Sequence, residues 1–181
     1  MDELLLQRVK NKDKEAFEEL YNQYASYATR VAIAVTRNHE LASDAVQETF
    51  IRVYFNMDKF KIGRPFKPWF YRILINECNR ILKRGSRVSY ISEYGENYKN
   101  ISHEDHRPFE EYEELYRAIQ NLNDKMRIPI ILKYLKGFKE KEIAEVLNLN
   151  INTVKSRLYK GRRELKKVLA ESEEGRKPNV T

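Results

Sequence analysis

The sequence contains few residues that break helices or cross-link chains. Its 181 residues include one cysteine, six glycines and five prolines. A single thiol, Cys78, cannot form an internal disulfide, so we expect a reducing, intracellular setting. Because Cys78 falls on the apolar side of a predicted helix, we interpret it as a small core residue rather than as a reactive thiol.

Long apolar runs are also missing. The longest ones, at 31–35 and 128–132, are far too short to cross a bilayer. The first ten residues contain two acids and no long apolar segment, which argues against a secretory signal. We therefore expect a cytoplasmic protein.

The charged fraction is 34%, and few β-branched runs are bounded by turn residues, so the sequence predicts an all-α protein. Its charge is uneven. Residues 1–84 carry 15 basic and 11 acidic residues, residues 85–114 carry 3 and 8, and residues 115–181 carry 16 and 8. This distribution predicts two small helical domains, both facing nucleic acid, joined by a flexible acidic linker.

Helical periodicity divides the first domain. A short leading helix ends at the polar turn 11–13, an amphipathic helix covers 14–36, and another runs from about Glu40 to Met57. The outward side of that third helix mixes acids, an amide and two large apolar groups, which is compatible either with a protein-binding surface or with ordinary solvation. Its residues are Asp44, Gln47, Glu48, Ile51, Arg52 and Phe55.

A basic loop at 58–67 precedes a helix that we expect to start at Pro68 and to end near Lys83. Cations and amides accompany Phe66, Trp69 and Tyr71 there, a composition suited to single-stranded nucleic acid, in which bases stack on rings. The alternative is a set of core aromatics beside a solvated basic face.

The linker, at about 85–108, shows no sustained periodicity. His103 and His106 occur within it without a second group of ligands, so we expect neither a metal site nor a cofactor. Helical periodicity resumes near Phe109, breaks at 123–124 and continues with an expected kink at Pro129.

The segment 139–169 predicts two helices joined by a tight turn at 148–150. The second helix carries seven Lys or Arg residues against one acid, Glu164, and hydrogen-bonding side chains occupy its first turns. This pattern is typical of a DNA-recognition helix, although a solvated basic helix is the alternative.

Three strings, taken together, resemble the extracytoplasmic-function (ECF) class of bacterial RNA polymerase sigma factors. They are LASDAVQETFIRVYFNMDKF at 41–60, PFKPWFYRILINECNRILKR at 65–84 and IAEVLNLNINTVKSRLYKGRRELKKVL at 143–169. The resemblance implies sigma region 2 at 1–84, a linker at 85–109, sigma region 4 at 110–170 and a polar tail at 171–181.

The resemblance also implies three sets of contacts. Residues matching those that dock on the clamp helices of the largest polymerase subunit are Asp44, Gln47, Glu48, Ile51 and Arg52. Residues matching those that melt and bind the minus-10 element are Lys61, Arg64, Lys67, Trp69, Arg72, Asn76, Arg80 and Lys83. Residues matching those that read the minus-35 element are Asn152, Thr153, Lys155, Ser156, Arg157, Tyr159, Lys160 and Arg163.

Further expectations follow from the same resemblance. The partners would be core RNA polymerase, promoter DNA and an anti-sigma factor, possibly a membrane-embedded one, with no small-molecule substrate. Asn123, Pro129 and Lys139 depart from the family pattern, and we expect each to weaken a helix start or a hydrogen-bond ladder locally.

Two other functions were weighed. A stand-alone helix-turn-helix regulator would account for 139–169 but not for the surfaces around Gln47 and Trp69. An enzyme acting on nucleic acid would need paired carboxylates, a metal cluster or a phosphate-binding glycine loop, and the sequence shows none of these, so no catalytic residue is expected.

Overall fold

The computed structural model describes residues 2–89 and 113–175, which form eight α-helices and contain no strand within those ranges. Their contacts divide the chain into two compact units, one built on α1–α4 and the other on α5, α6 and α8. The all-α prediction is confirmed.

The N-terminal unit begins with α1 (Glu3–Lys10), α2 (Lys14–Thr36) and α3 (His39–Asn56). Each start is fixed by a side-chain cap, which satisfies a backbone N–H that has no partner within its helix. The Asp13 carboxylate accepts from the N–H of Ala16 at 3.1 Å, and the Asn38 amide oxygen accepts from that of Leu41 at 2.8 Å. Arg37, with φ +59°, ends α2 in the left-handed region.

A short 3₁₀ turn, Met57–Lys59, leads through the basic loop to α4 (Phe66–Ser89). Two lysines of the N-terminal segment hold this connection in place. The Lys10 ammonium donates to the carbonyl of Phe60 at 3.0 Å, and the Lys12 ammonium donates to that of Tyr54. Residues of α1 and its terminal turn therefore position the start of the basic loop.

Aromatic rings fill the centre of this unit, where α2, α3 and α4 pack against one another. Phe70 of α4 lies with its ring centroid 4.9 Å from that of Tyr24 and 5.4 Å from that of Phe50. All three side chains are buried, so one ring from each helix contributes to the same core.

The second described range contains α5 (Glu113–Asn121), α6 (Asp124–Ile130), a π-helical segment Ile131–Leu135, α7 (Glu140–Leu147) and α8 (Ile151–Gly175). Arg127 of α6 is 2% exposed and joins α5 to α6, because its guanidinium donates to Gln120 Oε1 at 3.2 Å and to Asp124 Oδ1 at 2.7 Å. The predicted irregularity at Pro129 takes the form of the π-helical segment that follows it. Proline has no N–H for the regular ladder, and wider turns accommodate that loss.

Three predicted helix ends were wrong. Helix α4 starts at Phe66 instead of Pro68, which is tolerated at the third helical position because first-turn N–H groups have no partner within the helix. It also continues to Ser89, into the predicted linker, and α8 continues to Gly175, into the predicted tail. The rest of the predicted linker, with His103 and His106, and the residues after 175 lie outside the described residues.

Two departures from the family pattern do not weaken helix starts as expected. The Asn123 side chain caps α6, accepting from the N–H of Lys125 at 2.9 Å. At α7 the third helical residue, Glu142, accepts from the backbone N–H of Lys139 at 2.7 Å, which is the reciprocal half of a capping box. The sequence thus replaces the usual caps with other capping groups.

Candidate functional site

The outward face of α3 presents the residues predicted to dock on polymerase. Asp44, Gln47, Ile51 and Arg52 are exposed, and Glu48 is half-buried. Ile51 is 42% exposed and its neighbour Phe55 is 69% exposed, which is unusual for large apolar side chains. The face therefore combines charges with apolar contact area.

An open groove of about 560 Å³ lies beside this face. It lies at the surface of the N-terminal unit, where α2 and α3 pack together. Side chains from both helices line it, among them Phe17, Tyr21, Gln47, Ile51 and Phe55. Gln47 and Ile51 thus belong both to the predicted docking set and to the groove.

The basic loop before α4 exposes Lys61 and Arg64, and the first turn of α4 exposes Lys67. The N–H of Arg64 donates to the carbonyl of Lys61 at 3.1 Å, closing a turn that contains Gly63 at φ +87°. A side chain is strained at that φ, so glycine suits the turn that presents these cations.

Of the three rings predicted to face nucleic acid, Trp69 is partly exposed, whereas Phe66 and Tyr71 are buried. The Trp69 ring rests on Phe60 and Phe66, with centroid distances of 5.1 and 5.6 Å. Two of the rings therefore support the core, and Trp69 is the one of the three that has area left for stacking. Periodicity alone could not separate these positions, because all three fall within one and a half turns.

Further along α4, Arg72, Asn76 and Lys83 are exposed at spacings of four and seven residues, which places them on one side of the helix. Arg80 is half-buried. Trp69, Arg72, Asn76 and Lys83 therefore share one side of α4, and Arg80 lies at its margin.

Arg80 and Arg52 converge on Glu77, a residue that the sequence did not single out. Glu77 is 4% exposed; its Oε1 lies 2.6 Å from Arg52 Nε and its Oε2 lies 2.6 Å from Arg80 Nε. Arg80 Nη2 also lies 3.3 Å from Glu48 Oε2. In the sequence, the feature that indicates this ion pair is a single acid, Glu77, among the apolar positions of α4, three residues before Arg80.

Helix α8 exposes one polar face and buries the opposite one. Its first turn is capped by Asn150, whose side-chain oxygen accepts from the N–H of Asn152 at 2.8 Å. The buried positions are Val154, Leu158, Gly161 and Leu165. Six of the predicted minus-35 residues are exposed, at spacings of three and four: Asn152, Lys155, Ser156, Tyr159, Lys160 and Arg163.

The two remaining predicted minus-35 residues, Thr153 and Arg157, are half-buried and four residues apart. They therefore border the exposed face on its buried side. All eight predicted residues lie on one helix, and three of the four cations among them, Lys155, Lys160 and Arg163, are exposed, where they can meet a DNA backbone.

Burial keeps two hydroxyls and one thiol in the core of the N-terminal unit in their neutral forms. Burial raises the pKa of the Tyr24 hydroxyl and of the Cys78 thiol to about 12 each, and it also raises the pKa of Tyr71. A thiol with such a pKa is a poor nucleophile, which agrees with the interpretation of Cys78 as a core residue.

Among residues 2–89 and 113–175, no group of three or more His, Cys, Asp or Glu side chains could hold a metal ion. In the same part of the chain, no helix has the length and apolar character that crossing a membrane requires.

Comparison with protein families finds two matches. Residues 20–88 match the family model "Sigma-70 region 2", and residues 112–165 match "Sigma-70, region 4". The first match runs from within α2 through the basic loop and nearly to the end of α4, and the second runs from α5 through α7 into α8.

Two curated relatives match along most of their length. The ECF RNA polymerase sigma factor SigW of Bacillus subtilis (strain 168) is 32% identical over 176 residues, covering 91% of this chain and 94% of SigW. The ECF RNA polymerase sigma-E factor of Escherichia coli (strain K12) is 31% identical over 175 residues, covering 89% and 90%.

Two solved structures share the fold. One is CnrH in complex with the cytosolic domain of CnrY, with a TM-score of 0.71 at 22% identity, covering 94% of this chain and 97% of CnrH. The other is the sigma factor RpoE in complex with the anti-sigma factor NepR from Bartonella quintana, with a TM-score of 0.67 at 24% identity, covering 85% and 96%.

Proposed function

This chain belongs to the ECF class of RNA polymerase sigma factors, and from that premise we propose how its surfaces divide the work of promoter-specific transcription initiation. As a sigma factor it binds core RNA polymerase and promoter DNA. The two family matches support this conclusion. So do the two relatives, each of which is at least 30% identical to this chain over at least nine-tenths of its own length.

In this proposal residues 1–84 act as region 2, residues 85–109 as a linker, residues 110–170 as region 4 and residues 171–181 as a tail. The family matches at 20–88 and 112–165 support this division. Helices α4 and α8 both continue past the proposed ends, so these boundaries describe function rather than helix limits.

The α3 face docks on polymerase through Asp44, Gln47, Glu48, Ile51 and Arg52. The apolar area of Ile51 beside charged groups supports this role, because interface centres combine desolvated apolar contacts with a polar rim. Docking also explains why a helix of a small unit leaves large apolar side chains exposed.

The surface from the basic loop to Lys83 receives the minus-10 element. Trp69 offers a ring face for an unpaired base, and the exposed cations follow the strand backbone. Stacking is worth about 1–3 kcal/mol per base, enough to offset much of the unstacking of one base pair step.

Helix α8 reads the minus-35 element as duplex DNA. Residues in the first two turns, such as Lys155 and Arg157, contact base edges, and Arg163, further along, contacts phosphate. Replacing Arg157 by Ala should therefore relax base preference, whereas replacing Arg163 by Ala should lower affinity for all sequences and reduce the salt slope by about one unit. Identical behaviour of the two variants would refute this division.

An anti-sigma factor is the third proposed partner. CnrH and RpoE, which share this fold, are each seen in complex with another protein, the cytosolic domain of CnrY and the anti-sigma factor NepR. We further propose that the chain acts in the cytoplasm, where polymerase and DNA are found, and that it has no catalytic activity of its own. The related sigma factors are not enzymes.

Co-elution with core polymerase tests the docking proposal. Asp44→Lys and Ile51→Asp change two exposed side chains of α3 and should each weaken binding to bacterial core polymerase by about tenfold, because interface residues of this kind commonly contribute more than 1 kcal/mol. Glu18→Lys makes a comparable charge change on an exposed position of α2 and serves as the control. If both α3 variants bound core polymerase with wild-type affinity, the docking surface would have to lie elsewhere on the chain.

A further inference from the structure

The most unusual polar group in the N-terminal unit is the buried carboxylate of Glu77, which is shared by two arginines. Each of its oxygens lies 2.6 Å from the Nε of a different arginine, Arg52 of α3 or Arg80 of α4. Arg80 reaches on to Glu48 of α3 at 3.3 Å. Two acids and two bases thus form one neutral network across the α3–α4 contact.

The network connects two surfaces assigned to different partners. Glu48 and Arg52 belong to the proposed polymerase face, and Arg80 belongs to the margin of the minus-10 surface, one turn from Asn76. The carboxylate between them is 4% exposed, so neither partner can reach Glu77 directly. Any effect of Glu77 on either partner must pass through the two arginines.

Stability alone gives a weak reason for this arrangement. Burying a carboxylate carries a desolvation penalty, and replacing buried ion pairs by apolar side chains is often neutral or stabilising. Helices α3 and α4 already pack through apolar groups, among them the buried rings of Phe50 and Phe70, whose centroids lie 5.4 Å apart. The network is better explained by its effect on the orientation of the two guanidinium groups.

Binding through Nε fixes the plane and the direction of each guanidinium. Arg52 then presents its outer edge on the docking face, where 47% of its side chain is exposed. Arg80 is held against Glu48, and 27% of its side chain is exposed. A polymerase group that pairs with Glu48 would remove one of the two acids that hold Arg80.

We propose that Glu77 is a positioning residue that orients Arg52 for polymerase and Arg80 for the minus-10 strand, and so couples docking to DNA binding. This inference rests on the proposed function of the two surfaces. In the unbound chain Glu48 and Glu77 hold Arg80 between them. Docking engages Glu48, and the released Nη groups of Arg80 become available to a DNA phosphate.

The first test measures docking and promoter opening separately. Affinity for core polymerase is measured by titration. Opening is measured at saturating sigma factor on a promoter fragment that the wild-type holoenzyme has enriched from random-sequence DNA. Glu77→Gln keeps the size of the side chain but offers one acceptor oxygen in place of two. It should weaken docking and slow opening by about tenfold each, because a single neutral acceptor cannot hold both guanidinium groups in place.

Double variants separate positioning from a purely structural role. With Arg52→Ala, Glu77→Gln should no longer affect docking, and with Arg80→Ala it should no longer affect opening. A structural role would instead lower the melting temperature and reduce both activities in every background. Equal effects of Glu77→Gln in all backgrounds would overturn the proposal.

Two further variants keep the proposal falsifiable if Glu77→Gln does not fold. Arg80→Lys retains the charge but cannot bridge Glu77 and Glu48 with a planar fork, so it should slow opening as much as Arg80→Ala does. Wild-type opening in Arg80→Lys would refute the bridging role. Glu18→Gln removes an exposed acid elsewhere on this unit and should leave both readouts unchanged.

Failure of the inference differs from failure of the proposed function. If Arg52→Ala leaves docking intact and Arg80→Ala leaves opening intact, the surface assignments are wrong, and the coupling that rests on them falls too. If both single variants act as expected while Glu77→Gln changes neither readout, the surfaces stand and the positioning role of Glu77 is refuted.

Discussion

Replacing Gly161 by alanine tests whether close packing between α6 and α8 sets the position of the recognition helix. Gly161 is buried on the inner side of α8. A Cβ added there would lie 3.0 Å from Ile130 Cγ1 and 3.4 Å from Met126 Cβ. Ile130 is 1% exposed, so its side chain has little room to move away.

Two effects of opposite sign compete at this position. Alanine is favoured over glycine by about 0.8–1 kcal/mol in a helix interior. Overpacking a filled core costs about 1–3 kcal/mol. Because the contacted atom belongs to a branched and fully buried side chain, the steric term should win, with a net loss of about 1 kcal/mol.

Differential scanning calorimetry of the full chain measures this loss. For a unit of this size, about 1 kcal/mol corresponds to a decrease of roughly 4–8 °C in the transition temperature. Glu164→Ala, an exposed change three residues further along α8, should change the free energy of unfolding by less than about 0.5 kcal/mol.

A second substitution identifies the contact responsible. Ile130→Ala removes the contacted Cγ1 and should cost about 2–5 kcal/mol by itself. In the double variant the new methyl group of residue 161 enters part of that space, so the combined loss should be smaller than the sum of the single losses. Additive losses, or a stabilised Gly161→Ala variant, would refute the packing argument.

Three other predictions concern a thiol and two helix caps. Burial raises the pKa of Cys78 to about 12, so an alkylating reagent at a pH of about 8 should modify this thiol only after denaturation. Intact-mass measurement would detect the modification, and rapid labelling of the folded chain would contradict the buried position of Cys78. Asn123→Ala removes the cap of α6 and should lower the free energy of unfolding by about 1 kcal/mol in urea denaturation, whereas Asn123→Ser should retain most of it. The backbone N–H of Ala16 and the Arg8 guanidinium lower the pKa of Asp13 in the folded chain. The carboxylate therefore stabilises the fold above its unfolded pKa near 3.8, and this contribution is lost as the pH falls through the lower folded pKa. The melting temperature of the wild type should fall more steeply in acid than that of Asp13→Asn, and parallel curves would contradict the assigned cap.

Much of the fold could be predicted from periodicity. The range 14–36 predicted for the second helix is the range observed for α2, and the turn at Asn148 separates α7 from α8 as expected. Amphipathic spacing locates such elements because the buried side of a helix repeats every three to four residues. Helix ends were less predictable, since α4 continues to Ser89 through residues that show no sustained apolar periodicity.

Capping shows why some departures from a family pattern were misjudged. Lys139 has no capping side chain of its own, but Glu142 supplies the bond from three residues away. Asn123 is itself a capping residue, so substitution of the usual proline exchanges one helix-start signal for another.

The candidate surfaces were predicted in outline and refined by three-dimensional contacts. The exposed faces of α3 and α8 follow from helical spacing, although the exposed face of α3 also carries the apolar side chains of Ile51 and Phe55. The burial of Phe66 and Tyr71 depends on how α4 packs against α2 and α3. Glu77 could not be foreseen either, because its two partners include Arg52, which lies 25 residues earlier in the chain.

Reconstituted transcription tests the central claim most directly. Bacterial core polymerase stripped of its own sigma factor would be mixed with the purified chain and with promoter fragments enriched by the resulting complex from random-sequence DNA. A sigma factor should produce run-off transcripts of defined length that core polymerase alone does not make. Tight binding of the chain to duplex DNA, with no association with core polymerase and no such transcripts, would contradict the account.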